Sequence, residues 1–151
     1  MIAWSLNDAM CTYFLYDALH RYITLDRMFA IRILSKTERG PSGERLGEIM
    51  IGTFRECFAC SSDNGSLMNL ESQWHKALQA LVAGAAVAVL QHDPRFAWIV
   101  YREGKECYVQ QKLSLDGTFA DVLPRETISS EGGRISEWNT TVAAIERFVG
   151  A

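Results

Sequence analysis

Two cysteines, Cys57 and Cys60, stand three apart in "ECFACSSD" (56–63). A C-x-x-C pair is half of a structural zinc site or the centre of a dithiol redox enzyme. Structural zinc takes four Cys or His ligands, commonly as two close pairs. Here no second C-x-x-C and no H-x-x-x-H follows, and the later chain offers only Cys107, His75 and His92. A redox pair belongs at a helix N-terminus, where the dipole lowers the thiol pKa. Cys57 and Cys60 lie instead in a strand-like run. Residues three apart on a regular strand point to opposite faces, so the two thiols are expected to diverge and to pack as small structural side chains. The alternative at this point is a small metal- or thiol-dependent enzyme using Cys57, Cys60 and Cys107.

Other chemistry finds no local support. Cys107 alternates with aromatic and apolar residues and carries no nucleophile signature. A G-x-S-x-G elbow is missing, although a triad assembled from distant positions leaves no such trace. "GPSG" (40–43) lacks the lysine and helix of a phosphate-binding loop. His20, His75 and His92 are the only histidines, and they read as helix-face or turn residues at the surface. Trp98, Tyr101 and Tyr108 could form a base-stacking platform, but no basic stripe accompanies them, so cross-strand packing is the expected use. No catalytic residue, metal or cofactor is assigned.

The elements that must position these residues follow from punctuation and periodicity. Residues 5–22 have helical spacing of Leu6, Ala9, Met10, Tyr13 and Phe14, with Ser5 and Asp8 as a capping pair. This N-terminal helix reads as a core helix, a docking or dimerisation helix, or part of an extension (1–27) upstream of a start at Met28. From there a single α+β domain is expected over 28–151. "FAIRIL" (29–34) alternates as a half-buried strand. "LGEIMIGTFRECFA" (46–59) reads as one long extended segment bent at Gly52. "NLESQWHKALQALVAG" (69–84) is a helix capped by Asn69, with Glu71 at its positive end and an apolar stripe of Trp74, Ala77, Leu78 and Leu81. "AAVAVLQ" (85–91) is a buried strand, and "FAWIVYREGKECYVQQKL" (96–113) is a hairpin with Gly104 at its tip. "RETISSEGGRISEW" (125–138) reads as a second hairpin, and 139–150 as a short helix capped by Thr140 or Thr141. The predicted architecture is mainly antiparallel sheet built from hairpins, packed by one central and one C-terminal helix.

Bulk properties fit this picture. A chain of 151 residues matches one domain and, at roughly 70% of its extended surface hidden, needs no metal or disulfide to stabilise its core. The net charge of −3 disfavours a nucleic-acid binder. Residues 1–27 show no secretory signal, and Asp8, Asp17 and His20 interrupt every run long enough to approach a membrane span. A cytoplasmic protein is expected, with no membrane or nucleic-acid partner.

The order "WIVYREGKECYVQQKL", then "RETISSEGGRISEW", then the short helix "VAAIERFV" resembles the CdiI-like immunity proteins of contact-dependent growth inhibition systems. "LGEIMIGTF" and "SQWHKALQALVAG" fit in order, and the resemblance spans about 28–150. It implies a protein that binds the toxic C-terminal domain of a large cognate effector, often a nuclease, and blocks its active site or substrate access. Such a role needs no catalytic residue. Carboxylates would meet a basic nuclease groove, and those on turns and hairpins are Glu103, Glu106, Asp116, Asp121, Glu126 and Glu131. A second route is pairing of a partner strand with an open sheet edge.

Overall fold

The computed structural model describes residues 27–34, 40–41, 43–61, 67–119, 124–127 and 135–150. The expected helix at 5–22 lies outside them, as do Asp121 and Glu131. The described chain runs β1 (Phe29–Ile33), β2 (Arg45–Ile51), β3 (Phe54–Cys60), α1 (Leu67–Ala83), β4 (Val87–Gln91), β5 (Phe96–Glu103), β6 (Glu106–Leu113), β7 (Trp138–Thr141) and α2 (Val142–Val149). It is α+β, with two antiparallel sheets ordered β1-β2-β3 and β4-β5-β6-β7.

Gly52 does more than bend a strand. It takes φ +59° at the first position of a two-residue turn, and Ile51 pairs directly with Phe54. A glycine there suits the tight hairpin turn whose twist matches its flanking strands. The reversal also explains the shift of apolar phase in the sequence, because Ile49, Ile51, Phe54 and Phe58 all come to one face. Gly47 is a second glycine with a purpose: a Cβ there would meet the Phe58 ring at 2.5 Å.

That face closes on the four-stranded sheet. Phe58 meets Trp74 at 6.0 Å and Trp98 at 6.2 Å between ring centroids, and Phe54 stacks on Trp138 at 4.0 Å. Leu78 and Leu81 of α1, Ile145 of α2, Leu90 and Val109 are fully buried in the same core. Each is worth about 1.5–3 kcal/mol relative to exposure, so this cluster dominates stability.

The helices depart from expectation at their starts. α1 begins at Leu67, so Asn69 sits inside it. Leu67 and Met68 are good helix formers and extend the helix past the expected cap. Glu71 does not serve the helix end; its carboxylate accepts the Ile33 N–H at 2.6 Å. α2 is capped by Thr141, whose hydroxyl accepts the Ala144 N–H at 3.2 Å. Asn139 and Thr140, expected in the helix, belong to β7. The expected hairpin over 125–138 is not seen among its described residues: 125–127 and 135–137 are not strand, and β7 pairs with β6. Among the described residues, no helix is long and apolar enough to cross a membrane.

Candidate partner-binding surface

Register decides where the side chains of the β5–β6 hairpin go. Trp98 and Val100 face the main core, while Ala97, Ile99 and Tyr101 turn to the opposite face with Tyr108, Gln110 and Lys112. Trp98, Tyr101 and Tyr108 therefore do not form one platform. Tyr101 and Tyr108 pair across strands; Trp98 is buried behind them.

The second face is covered by a polar strap. Arg125 Nε and Nη2 donate to Glu137 at 2.8 and 2.7 Å, and its Nη1 donates to Glu103 at 2.8 Å. Its guanidinium lies 3.5 Å over the Tyr108 ring. Gln110, fully buried, donates to the Glu126 carbonyl and to the Glu137 carboxylate, both at 2.6 Å. Lys112 donates to Glu126 at 3.0 Å. The Arg125 hydrogen bonds hold Glu137 below the usual carboxylate range, against partial burial. Burial, reinforced by Glu126 and Glu137, pushes Tyr101 up to about 12.

The expected acids thus fall into distinct environments. Glu103 and Glu106 stand opposite each other beside the Gly104 turn, and Glu126 lies farther along β6. Glu103 and Glu126 are matched by Arg125 and Lys112; Glu106 has Arg27 at 4.0 Å. Asp116 is set apart at the other end of the hairpin. It accepts from the Ser114 hydroxyl at 2.6 Å and from the Thr118 N–H and hydroxyl at 3.0 Å, which pull its pKa down to about 2. Sequence reasoning missed Arg125, Glu137 and Gln110. The one signal was "QQK" (110–112), a polar run inside an apolar strand.

Cys57 and Cys60 diverge as expected, one exposed and one buried. Burial pushes the Cys60 thiol up to about 12 and the Cys107 thiol up to about 11, which keeps both protonated near neutrality. No group of three or more Cys, His, Asp or Glu among the described residues is placed to hold a metal. His75 joins α1 to the end of α2 through the Val149 carbonyl at 2.9 Å. His92 is not the surface residue expected: it is 4% exposed.

A family model described as "CdiI N-terminal domain" matches residues 66–148, which run from the start of α1 almost to the end of α2. This chain belongs to the CdiI family. No curated protein matches it. A solved structure titled "CdiA-CT/CdiI toxin and immunity complex from Enterobacter cloacae" is similar in fold, with TM-score 0.62 and 19% identity. The match covers 82% of this chain and 97% of that one, so nearly the whole of that chain has a counterpart here.

Proposed function

We propose that this CdiI protein is an immunity protein that binds and neutralises the C-terminal toxin domain of a cognate contact-dependent growth inhibition effector. The family match over residues 66–148 carries the reading. The fold likeness to a chain from a toxin and immunity complex supports it. Neutralisation is by occupation, in the cytoplasm: the toxin, read as a nuclease, loses its active site or its substrate's path. No bond is made or broken by this chain. Residues 28–151 form the binding domain, and residues 1–27 extend it.

The contact surface includes the carboxylate rim of the β5–β6 hairpin. Glu103, Glu106, Glu126 and Asp116 present the charge a phosphate would present to a basic groove, with Asp121 and Glu131 alongside in sequence. The test is calorimetric titration of the full chain with a catalytically inactive form of the toxin domain, paired with co-expression of the active form. A dissociation constant below about 1 μM and protection of the expressing cells are expected. No association at about 10 μM would refute the reading.

A further inference from the structure

The edges of the two sheets are not equally closed. On β1, the Ile33 N–H is taken by Glu71, and Phe29 lies buried against Phe148 at 5.7 Å. On β4, α1 packs alongside and Trp74 Nε1 donates to the Gln91 carbonyl at 2.8 Å. β7 has four residues and runs straight into α2. β3 differs: it has seven residues, FRECFAC, with no Pro, Gly or Lys. Pro and Lys are among the features that usually blunt an edge strand; of the two charges β3 does carry, Arg55 is drawn back onto Glu48 and Glu56 is left for a partner. The tight turn fixes Ile51 and Phe54 as a bonded pair, so Phe54, Glu56, Phe58 and Cys60 bond to β2. Arg55, Cys57 and Ala59 then turn their N–H and C=O groups outward. Ala59 shows this directly, since its carbonyl accepts from His92 Nδ1 at 3.0 Å; the Ser61 N–H beyond it donates to the His92 carbonyl at 3.0 Å, so His92 takes up that end and the open stretch is Arg55–Cys57. Among the described residues, Arg55 and Cys57 have no backbone partner on that side.

Beside this edge lies exposed apolar surface. Phe96 and Leu113, a cross-strand pair, are 40% and 47% exposed, and Leu115 is 87% exposed. Phe96 stacks on His92 at 6.3 Å, and the other neighbour of that ring is Phe58 at 4.4 Å. Meeting a carbonyl fixes Nδ1 of His92 as the N–H, so Nε2 is an acceptor. Nε2 is buried and has no partner among the described residues. A buried acceptor without a donor is unfavourable, so the free chain leaves this corner unfinished.

We infer that the outer edge of β3 is a docking edge, where an extended segment of the toxin domain adds as a fourth strand and seats an apolar side chain on Phe96 and Leu113. The inference rests on the immunity reading and names a surface for it. Charge decides against a second copy of this chain as the occupant. Antiparallel self-pairing opposes residues of one face, so Arg55 meets only Arg55, Cys57 or Ala59, and Glu56 meets only Phe54, Glu56, Phe58 or Cys60. Arg55 is already paired with Glu48 on its own sheet, whereas Glu56 finds no cation in any such register. Among the described residues Glu56 has no ion-pair partner, so the fitting segment is apolar with one Lys or Arg placed across from Glu56. Asp116, one of the hairpin-end carboxylates, follows the exposed Leu115 in sequence.

The test is amide hydrogen exchange on the full chain, alone and with the inactive toxin domain. The amides of Arg55 and Cys57 are expected to slow at least about tenfold in the complex. Cys57→Pro deletes an outward N–H while leaving the ladder to β2 intact, and should weaken binding by roughly tenfold or more. Should that variant fail to fold, Phe96→Ser with Leu113→Ser reads the same surface at already exposed positions. A complex that forms with unprotected β3 amides and unchanged variant affinity overturns this inference alone. Absence of any complex overturns the immunity reading and the inference with it. Concentration-dependent protection in the chain alone assigns the edge to a second copy, and overturns it too.

Discussion

Arg125→Ala should loosen the strap over the second face of the four-stranded sheet, by an amount the geometry sets. The Arg125 and Glu137 side chains are 21% and 22% exposed, so their two-bond fork is only partly screened and contributes about 1.5 kcal/mol. The Glu103 bond counts for less, about 0.5 kcal/mol, because that side chain is 55% exposed. The Tyr108 contact adds about 0.5–1 kcal/mol. Glu137 is not stranded by the change, since Gln110 still donates at 2.6 Å and water reaches it. The penalty for leaving a fully buried charge unpaired therefore does not apply. The expected loss is about 2.5–3 kcal/mol, or a fall in Tm of about 5–12 °C for a chain of this size. Arg125→Lys keeps the charge but cannot fork or lie flat on the ring, and should recover less than half of the loss. Thermal unfolding at pH 7 reads both variants, and a double-mutant cycle with Glu137→Ala should give a coupling of about 1–2 kcal/mol. A loss below about 1 kcal/mol, or a lysine variant that unfolds like the parent, would refute the reasoning. Arg125 would then be a solvated cation, and Phe119, which packs against Ala97, Ile99 and Tyr101, would be what closes this face.

Glu48 is excluded from water on β2, and burial alone would raise its pKa; hydrogen bonds from Arg32 and Arg55 outweigh that and hold it below 4.5. A depressed carboxylate stabilises above its unfolded pKa and loses that contribution as pH falls through the folded value. Glu48→Gln should therefore cost about 1 kcal/mol at pH 7, modest because both arginines are more than half exposed, and the gap to the parent should close in acid; a gap constant down to pH 2 would contradict this. Ser114→Ala should move the Asp116 titration from about 2 back toward 3.8, read by carboxyl chemical shifts; an unmoved midpoint would mean the hydroxyl is not what lowers it. Of the three described cysteines, Cys57 should react with a thiol reagent in the native state, while Cys60 and Cys107 react only on unfolding. Rapid native labelling of either buried thiol would point to an opening motion that the packing does not predict.

What could be read in advance was what local rules control. The β5–β6 hairpin was legible because Gly104, at φ +64°, punctuates two aromatic and β-branched runs. The divergence of Cys57 and Cys60 followed from strand periodicity alone. Gly52 was misread because one glycine inside an apolar run signals either a bulge or a two-residue turn, and only pairing decides. His92 was misplaced because its burial comes from Phe58 and Ala59 on a different sheet. The strap was illegible for a related reason. Arg125 and Glu137 are twelve residues apart and are organised by Tyr108 and Gln110 of β6, not by each other's backbone. A hairpin pattern between them was a reasonable reading of composition, but nothing in composition shows that β6 supplies the partners.

Pairing within the chain changes what charge can contribute to recognition. A toxin cation approaching Glu103 or Glu126 competes with Arg125 or Lys112, which already hold those carboxylates at 2.8 and 3.0 Å. Among the described residues Glu106 has a cation at 4.0 Å and none nearer, and Asp116 is held by hydroxyls and an N–H with no countercharge. Among these four carboxylates the unspent negative charge therefore sits at the two ends of a hairpin whose strands have eight residues each, about 25 Å apart. That exceeds the screening length of about 8 Å at physiological salt, so the two carboxylates act as independent steering points and not as one acidic patch. They can orient an approaching basic surface and speed its arrival, but they cannot hold it. Most of the free energy of a lasting complex has to come from uncharged contacts, and the β3 edge and the Phe96–Leu113 pair offer backbone hydrogen bonds and apolar area that the chain itself leaves unused.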